Sequence, residues 1–394
     1  MTLQQVLEAQ GRLEGVAQRT PLTYSTTFSQ MAGAQVHLKC ENLQRTGSFK
    51  IRGAYNRLSM LTAAERKRGV IAASAGNHAQ GVALAARLLG IKATMFMPES
   101  TPLAKVAATQ GYGADVRIEG ESYEAAYEAA LREQARGGAV FVHPFDDEAV
   151  MAGQGTIACE ILDELPEVDA IVVPVGGGGL IAGIATAAKA LRPSVRVFGV
   201  EGPTRTAKAE GEEQRGATIA DGINVREPGT LTLPLIEALV DEVVTVEEED
   251  ISRAMLMLLE RSKLVVEGAG AVGLAALLAG RLQLAGKTVA VVLSGGNVDV
   301  NLMARIIEHG LATAGRYLIF ETWLPDKPGE LLNILQVLLD ERVNILSVEH
   351  RRPASFPEVE VMLTVETRDS AHGERLLAHL RERGYRVNRL ELGG

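Results

Sequence analysis

Lys50 stands in the stretch QRTGSFKIRG (residues 44–53), between Phe49 and Ile51, with Gly47 and Ser48 ahead of it. A lysine is ordinarily a solvated surface charge. Held among apolar and small residues, its amine has a lowered pKa and becomes a nucleophile toward a carbonyl carbon. A second stretch, VVPVGGGGLIAG (172–183), places Gly176, Gly177, Gly178 and Gly179 ahead of Leu180 and a further apolar run. Glycine at each position lets successive backbone N–H groups converge on one point. A helix starting there adds its partial positive charge, which makes an anion cradle suited to phosphate. The stretch lacks the Lys and Ser/Thr of a Walker loop and the spacing of a GxGxxG loop. A plain strand-to-helix turn would also use glycine, but so many in a row cost backbone entropy that a turn alone does not need.

Two more stretches end apolar runs. In SAGNHAQG (74–81), Ser74, Gly76, Asn77 and His78 lie where a helix begins. Asn and Ser are good helix caps, so capping competes with a binding role for that stretch taken alone. In SGGN (294–297), Ser294 stands at the carboxyl edge of another run, placed to turn its hydroxyl into a crevice. A phosphate cradle without magnesium motifs, a lysine in an apolar site and a polar partner for a ring nitrogen are the parts of a pyridoxal phosphate site.

The elements that must position these residues alternate. Apolar runs at 70–76, 93–99, 139–145, 170–179, 195–202 and 288–296 end in Gly or Pro and read as buried parallel strands. Helix-like segments at 77–89, 121–136, 180–191, 248–262 and 269–281 lie between them. Strand–helix alternation of this kind predicts an α/β fold, with ligands beyond the carboxyl ends of the strands. Near residue 315 the pattern changes. A strand (317–323), a helix (329–341), strands (343–351, 358–367), a helix (371–383) and a last strand, YRVNRLEL, give the β-α-β-β-α-β order of ferredoxin-like folds. A domain boundary is expected near 312–316.

Composition bounds the rest. At 394 residues the chain is expected to hold two or three domains. Its 46% apolar and 23% charged residues are those of a soluble globular protein, and a net charge of −9 argues against nucleic acid as a partner. No uncharged apolar run long enough for a membrane span occurs, and the first twenty residues lack a leader-like pattern, so a cytoplasmic protein is expected. Cys40 and Cys159 read as reduced, buried thiols. The acidic run 247–250 reads as a solvated helix start, and Trp323 as a core residue of the C-terminal domain. His143 and Phe145, in HPFDD, end a strand near the crevice.

ENLQRTGSFKIRGA, SAGNHAQG, VPVGGGGLIAG and LSGGNVD stand in the order found in the fold-type II (tryptophan synthase β-like) pyridoxal phosphate enzymes. Within them, residues 1–312 closely resemble the threonine dehydratases, or threonine ammonia-lyases. The resemblance implies a two-lobed parallel-sheet catalytic domain, with a smaller lobe over about 50–150. It implies pyridoxal 5'-phosphate as cofactor and the deamination of L-threonine to 2-oxobutanoate. Lys50 resembles the Schiff-base lysine, and Phe49 the residue beside the cofactor ring. Asn77 would bond the ring's 3-hydroxyl oxygen, and Ser294 would face the ring nitrogen. Gly176, Gly177, Gly178, Gly179 and the Leu180 amide would hold the phosphate. The turn Ser74, Ala75, Gly76, Asn77 and His78 would receive the substrate carboxylate. Racemases of this fold usually carry Ser where Ala75 stands, so racemisation is expected to be weak. Relatives with a divalent-cation site carry a Glu where Ala217 stands, so no metal is expected at Asp221. Serine dehydratase, hydroxyaspartate ammonia-lyase and serine racemase remain alternatives, as does a non-enzymatic amino-acid-binding regulator.

Residues 316–394 resemble one ACT regulatory domain, with DKPG (326–329) as its typical turn. That resemblance implies pairing of copies into a homodimer or homotetramer, and an amino-acid effector, isoleucine or valine. Asp326, Gly329 and Asn344 are the candidate effector contacts.

Overall fold

Runs of Val, Ile and Ala that end in glycine form two parallel sheets in a computed structural model. It describes residues 1–203, 218–225, 228–352 and 358–390, with the backbone of the strands Thr206–Ala209 and Glu212–Arg215. The chain divides into two compact units, Met1–Val298 and Asp299–Gly394.

In the first unit, the larger sheet has the order Leu22–Tyr24, Gln35–Lys39, Thr288–Val292, Ala170–Pro174, Arg196–Glu201 and Glu242–Thr245. Only Leu22–Tyr24 runs antiparallel to its neighbour. Ala170–Pro174 and Thr288–Val292 are buried along their whole length, as strands covered on both faces must be. The smaller sheet, Asp115–Ile118, Ala93–Met97, Val70–Ala73 and Val140–Phe141, is all parallel. Its core joins Ile51, Ala54 and Leu58 to Ala72, Val82, Met95 and Val142. A separate core around Ile171, Val173, Ile181, Ile184 and Val292 serves the larger sheet. Each of these cores packs on one of the two sheets, and both cysteines are buried and free. No helix among the described residues is long and apolar enough to cross a membrane.

The second unit runs β-α-β-β-α-β from Tyr317 to Leu390, preceded by the helix Val300–Thr313. Its antiparallel sheet has the order Asn344–Arg351, Glu358–Glu366, Tyr317–Pro325 and Val387–Leu390. The helix Val300–Thr313 packs against Tyr317–Pro325, so the division falls between Val298 and Asp299, ahead of the expected 312–316. Trp323 corrects an expectation. Tyr317–Pro325 alternates strictly, with Leu318, Phe320, Thr322 and Leu324 turned into the core. The period-2 pleat puts Trp323 on the opposite face, where the Arg386 guanidinium lies 4.2 Å from its ring centroid. The acidic run does start a helix, Glu248–Met257, with Glu247 and Asp250 bonded in a reciprocal cap.

Candidate active site

Four strand ends converge in the first unit. Val70–Ala73 leads into Ser74–His78, Val140–Phe141 into His143–Phe145, Ala170–Pro174 into the glycine run, and Thr288–Val292 into Ser294. Ser48 forms an antiparallel bridge with Gly295, and the Phe49 N–H donates to the Ser294 carbonyl at 3.1 Å. This pairing brings Phe49, Lys50 and Ser294 together, although they are far apart in sequence.

Lys50 opens the helix Lys50–Ser59. Its Nζ donates to the Pro144 carbonyl at 3.0 Å and lies 5.1 Å from the Phe49 ring centroid. Burial lowers its pKa to about 8, against the opposing pull of the Glu267 carboxylate. Its face of the helix is set from the other side by Arg52. That guanidinium is 1% exposed and forks onto Glu41 (2.8 Å to each oxygen) and Glu160 (2.6 and 3.0 Å). Lys39 Nζ lies 2.6 Å from Glu160 and donates to the Thr20 carbonyl at 2.7 Å. Two cations and two carboxylates thus neutralise one another in a largely buried cluster.

The glycine run has no room for side chains. A Cβ on Gly176 would sit 2.9 Å from Ile223 Cα, and one on Gly177 would enter the Phe145 ring. One on Gly179 would lie 2.8 Å from the Phe145 carbonyl oxygen. Gly178, with φ of +90°, caps the helix Gly179–Leu191. The backbone N–H groups from Gly176 to Leu180 donate to no acceptor among the described residues. Gly177 to Leu180 are also buried. Buried N–H groups are rarely left unpaired, so a run of them at a helix start fits an anion such as the phosphate of the cofactor.

The second turn is not a side-chain cap. Gly76 occupies the cap position of the helix Asn77–Leu89 and makes no side-chain cap bond. Asn77 reaches outward instead: Nδ2 donates to Glu267 Oε1 at 2.6 Å, and Oδ1 accepts from Asn297 Nδ2 at 2.8 Å. Ser74, Ala75 and Gly76 are half-buried beside it. Ser74 Oγ accepts from the Gly76 N–H at 3.2 Å. The His78 ring turns away to the Val142 carbonyl, 2.9 Å from Nε2. Burial and the nearby Lys50 lower its pKa to about 3, so it is neutral. His143 Nδ1 accepts from the Phe145 and Asp146 N–H groups, which leaves its ring edge-on to Phe145 at 4.6 Å.

Glu267, Asn297 and the Arg52 cluster were not singled out by sequence reasoning. The one available signal for Glu267 was a lone acid directly before the apolar, glycine-rich helix Gly268–Leu278. Asp221 pairs with Lys105 at 3.1 Å, and Ala217 lies outside the described residues. In the second unit, Asp326 and Gly329 share the turn before the helix Glu330–Asp340, where Gly329 has φ of +97°. Asp326 accepts from Arg352 at 3.0 Å, and Asn344 donates to Glu366 at 3.3 Å.

Residues 13–295 match the family of pyridoxal-phosphate dependent enzymes. The chain is 50% identical to an L-threonine ammonia-lyase of Thermotoga maritima, over 98% of this chain and 99% of that protein. Its structure is similar to maize serine racemase, with a TM-score of 0.72 and 37% identity, covering 79% of this chain and 98% of that one. It is similar also to the processed threonine deaminase isoform 2 of Solanum lycopersicum, with a TM-score of 0.72 and 36% identity, covering 77% and 92%.

Proposed function

The chain belongs to the pyridoxal-phosphate dependent enzymes, and on that premise we propose that Lys50 anchors the cofactor and that the site deaminates L-threonine to 2-oxobutanoate and ammonia. The N–H run from Gly176 to Leu180, which has no acceptor among the described residues and lies at one side of the crevice that holds Lys50, carries this reading. The 50% identity to an L-threonine ammonia-lyase, over nearly the whole of both chains, supports the substrate.

When bound, pyridoxal phosphate supplies an aldehyde for the amine and a ring that accepts the electron pair left at Cα. The residues do the rest. The N–H groups of the glycine run and the start of the helix Gly179–Leu191 would take the phosphate. Phe49 would lie beside the ring, Ser294 would face its nitrogen, and Asn77 would bond its hydroxyl oxygen. A serine at that nitrogen supplies no proton as an aspartic acid would, which favours prompt loss of the β-hydroxyl. The first turn of the helix Asn77–Leu89, free of any side-chain cap, receives the substrate carboxylate together with Ser74 and Ala75. Lys50 Nζ, with a pKa of about 8, is an effective base near neutral pH for the Cα proton. Ala75 offers no acid on the opposite face, so elimination outruns racemisation.

The second unit reads as an ACT-like regulatory domain of a cytoplasmic homodimer or homotetramer in isoleucine biosynthesis. Asp326, Gly329 and Asn344 would contact the effector, isoleucine or valine. The β-α-β-β-α-β order and the turn at Gly329 support this. The test is release of a 2-oxo acid from L-threonine by the purified chain. Absence of turnover with L-threonine, alongside turnover of L-serine or hydroxyaspartate, would replace the substrate.

A further inference from the structure

Two glycines beside the site are spaced for polar side chains. A Cβ on Gly47 (φ +70°) would enter the Asn297 carboxamide, and one on Gly295 would enter the Glu267 carboxylate and lie 3.2 Å from Asn77 Nδ2. Between these close approaches runs one chain of hydrogen bonds. The Thr46 carbonyl accepts from Asn297 Nδ2 at 2.6 Å, Asn297 Nδ2 also donates to Asn77 Oδ1 at 2.8 Å, and Asn77 Nδ2 donates to Glu267 Oε1 at 2.6 Å. The Thr46 end has no proton, so it takes an Asn297 N–H, the other N–H of that nitrogen meets Asn77 Oδ1, and Asn77 Nδ2 is left to donate to Glu267. Burial raises the Glu267 pKa to about 7, and the ionised form is the acceptor that this bond favours. Thr46 takes a left-handed conformation (φ +66°) that side chains rarely adopt, and its carbonyl is the fixed end of the chain. Glu267 is the other fixed end. It is 7% exposed, its N–H donates to the Gly295 carbonyl at 3.0 Å, and it faces Lys50, Lys105 and Asp221.

We propose that Glu267 is a positioning residue of the cofactor site, which, through its bond to Nδ2, holds the Asn77 amide so that the remaining N–H of that nitrogen is presented to the cofactor's ring oxygen. Asn77 Nδ2 has two N–H groups, and among the described residues only one has a partner. A rotated amide would set two acceptors, Asn77 Oδ1 and the Glu267 carboxylate, against each other. The inference rests on the proposed role of Asn77 at the ring.

The test is a double-mutant cycle on the full chain, stripped of cofactor and titrated with pyridoxal phosphate, read by the absorbance of the bound cofactor. Asn77→Ala and Glu267→Ala are each expected to weaken binding by roughly tenfold or more. The double variant should bind within about threefold of Asn77→Ala, because Glu267 acts through Asn77. Glu267→Gln, whose carbonyl still accepts from Nδ2, should stay within about threefold of the unaltered chain. Losses that multiply in the double variant, or Glu267→Gln as weak as Glu267→Ala, would overturn the proposal. If Glu267→Ala does not fold, Glu267→Leu, which keeps the bulk and removes the acceptor, takes its place in the same cycle, with the same two readings. An unaltered chain that shows no bound-cofactor absorbance would instead overturn the assignment of the cofactor site.

Discussion

Arg52→Ala is the most informative perturbation outside the crevice. Arg52 donates to both oxygens of Glu41 and of Glu160, to Thr156 and to the Gln18 carbonyl, all from a buried position two residues beyond Lys50. Its removal leaves two buried carboxylates facing one cation, Lys39. Breaking a buried pair by deleting one partner costs about 3–5 kcal/mol. The cost should depend on pH. Burial pushes the Glu41 carboxyl up, and Arg52 beside it more than offsets this, so the folded pKa lies below its ordinary value. In the unaltered chain this carboxyl therefore adds stability above its unfolded pKa, and that stability is lost as pH falls through the lower folded value. Without Arg52, burial dominates and the folded pKa rises above the unfolded one. Stability is then lost as pH rises, and the deficit is larger at pH 8 than at pH 5. Urea denaturation of the two proteins at both pH values measures it. Arg52→Met combined with Glu41→Gln leaves Lys39 with Glu160 and should recover most of the loss. A deficit under about 1 kcal/mol, or one equal at both pH values, would refute the reasoning.

Gly177→Ala places a methyl group into the Phe145 ring and should lower cofactor affinity by roughly tenfold or more, with little change if the glycine run does not hold the phosphate. The Lys50 amine of the cofactor-free chain should react with an aldehyde reagent with a midpoint near pH 8. Glu267→Gln should move that midpoint down, since the carboxylate favours the charged amine; a midpoint near that of a free lysine would contradict the burial argument. Long incubation with L-serine should give pyruvate with little D-serine by chiral chromatography, and comparable yields of both would undo the role given to Ala75. Isoleucine titrated into the deamination assay should change the rate of the full chain and not that of Asp326→Ala, whereas an equal response of both would remove Asp326 from the effector site.

Most of the parallel strands were legible because each is a short apolar run that stops at Gly or Pro, and the helices 77–89 and 180–191 because they follow at once. The buried helix Glu148–Glu164 was not, because Val150 to Ile161 is buried all round and shows no amphipathic period. Gln35–Lys39, Asp115–Ile118 and Glu242–Thr245 were missed because polar and charged residues interrupt their apolar runs. At the site, Lys50, Asn77, the glycines and Ser294 stood out by local motif. Glu267 and the Arg52 cluster did not, since each acquires its role from contacts made across more than one element. His78 looked like a turn residue, yet its ring is a neutral core group on Val142.

The central claim is that Lys50 carries the cofactor. Borohydride reduction of the cofactor-loaded chain, followed by peptide mapping, tests it directly. The account predicts a pyridoxyl label on the peptide that contains Lys50, and no label in Lys50→Ala. A label on any other lysine would contradict it.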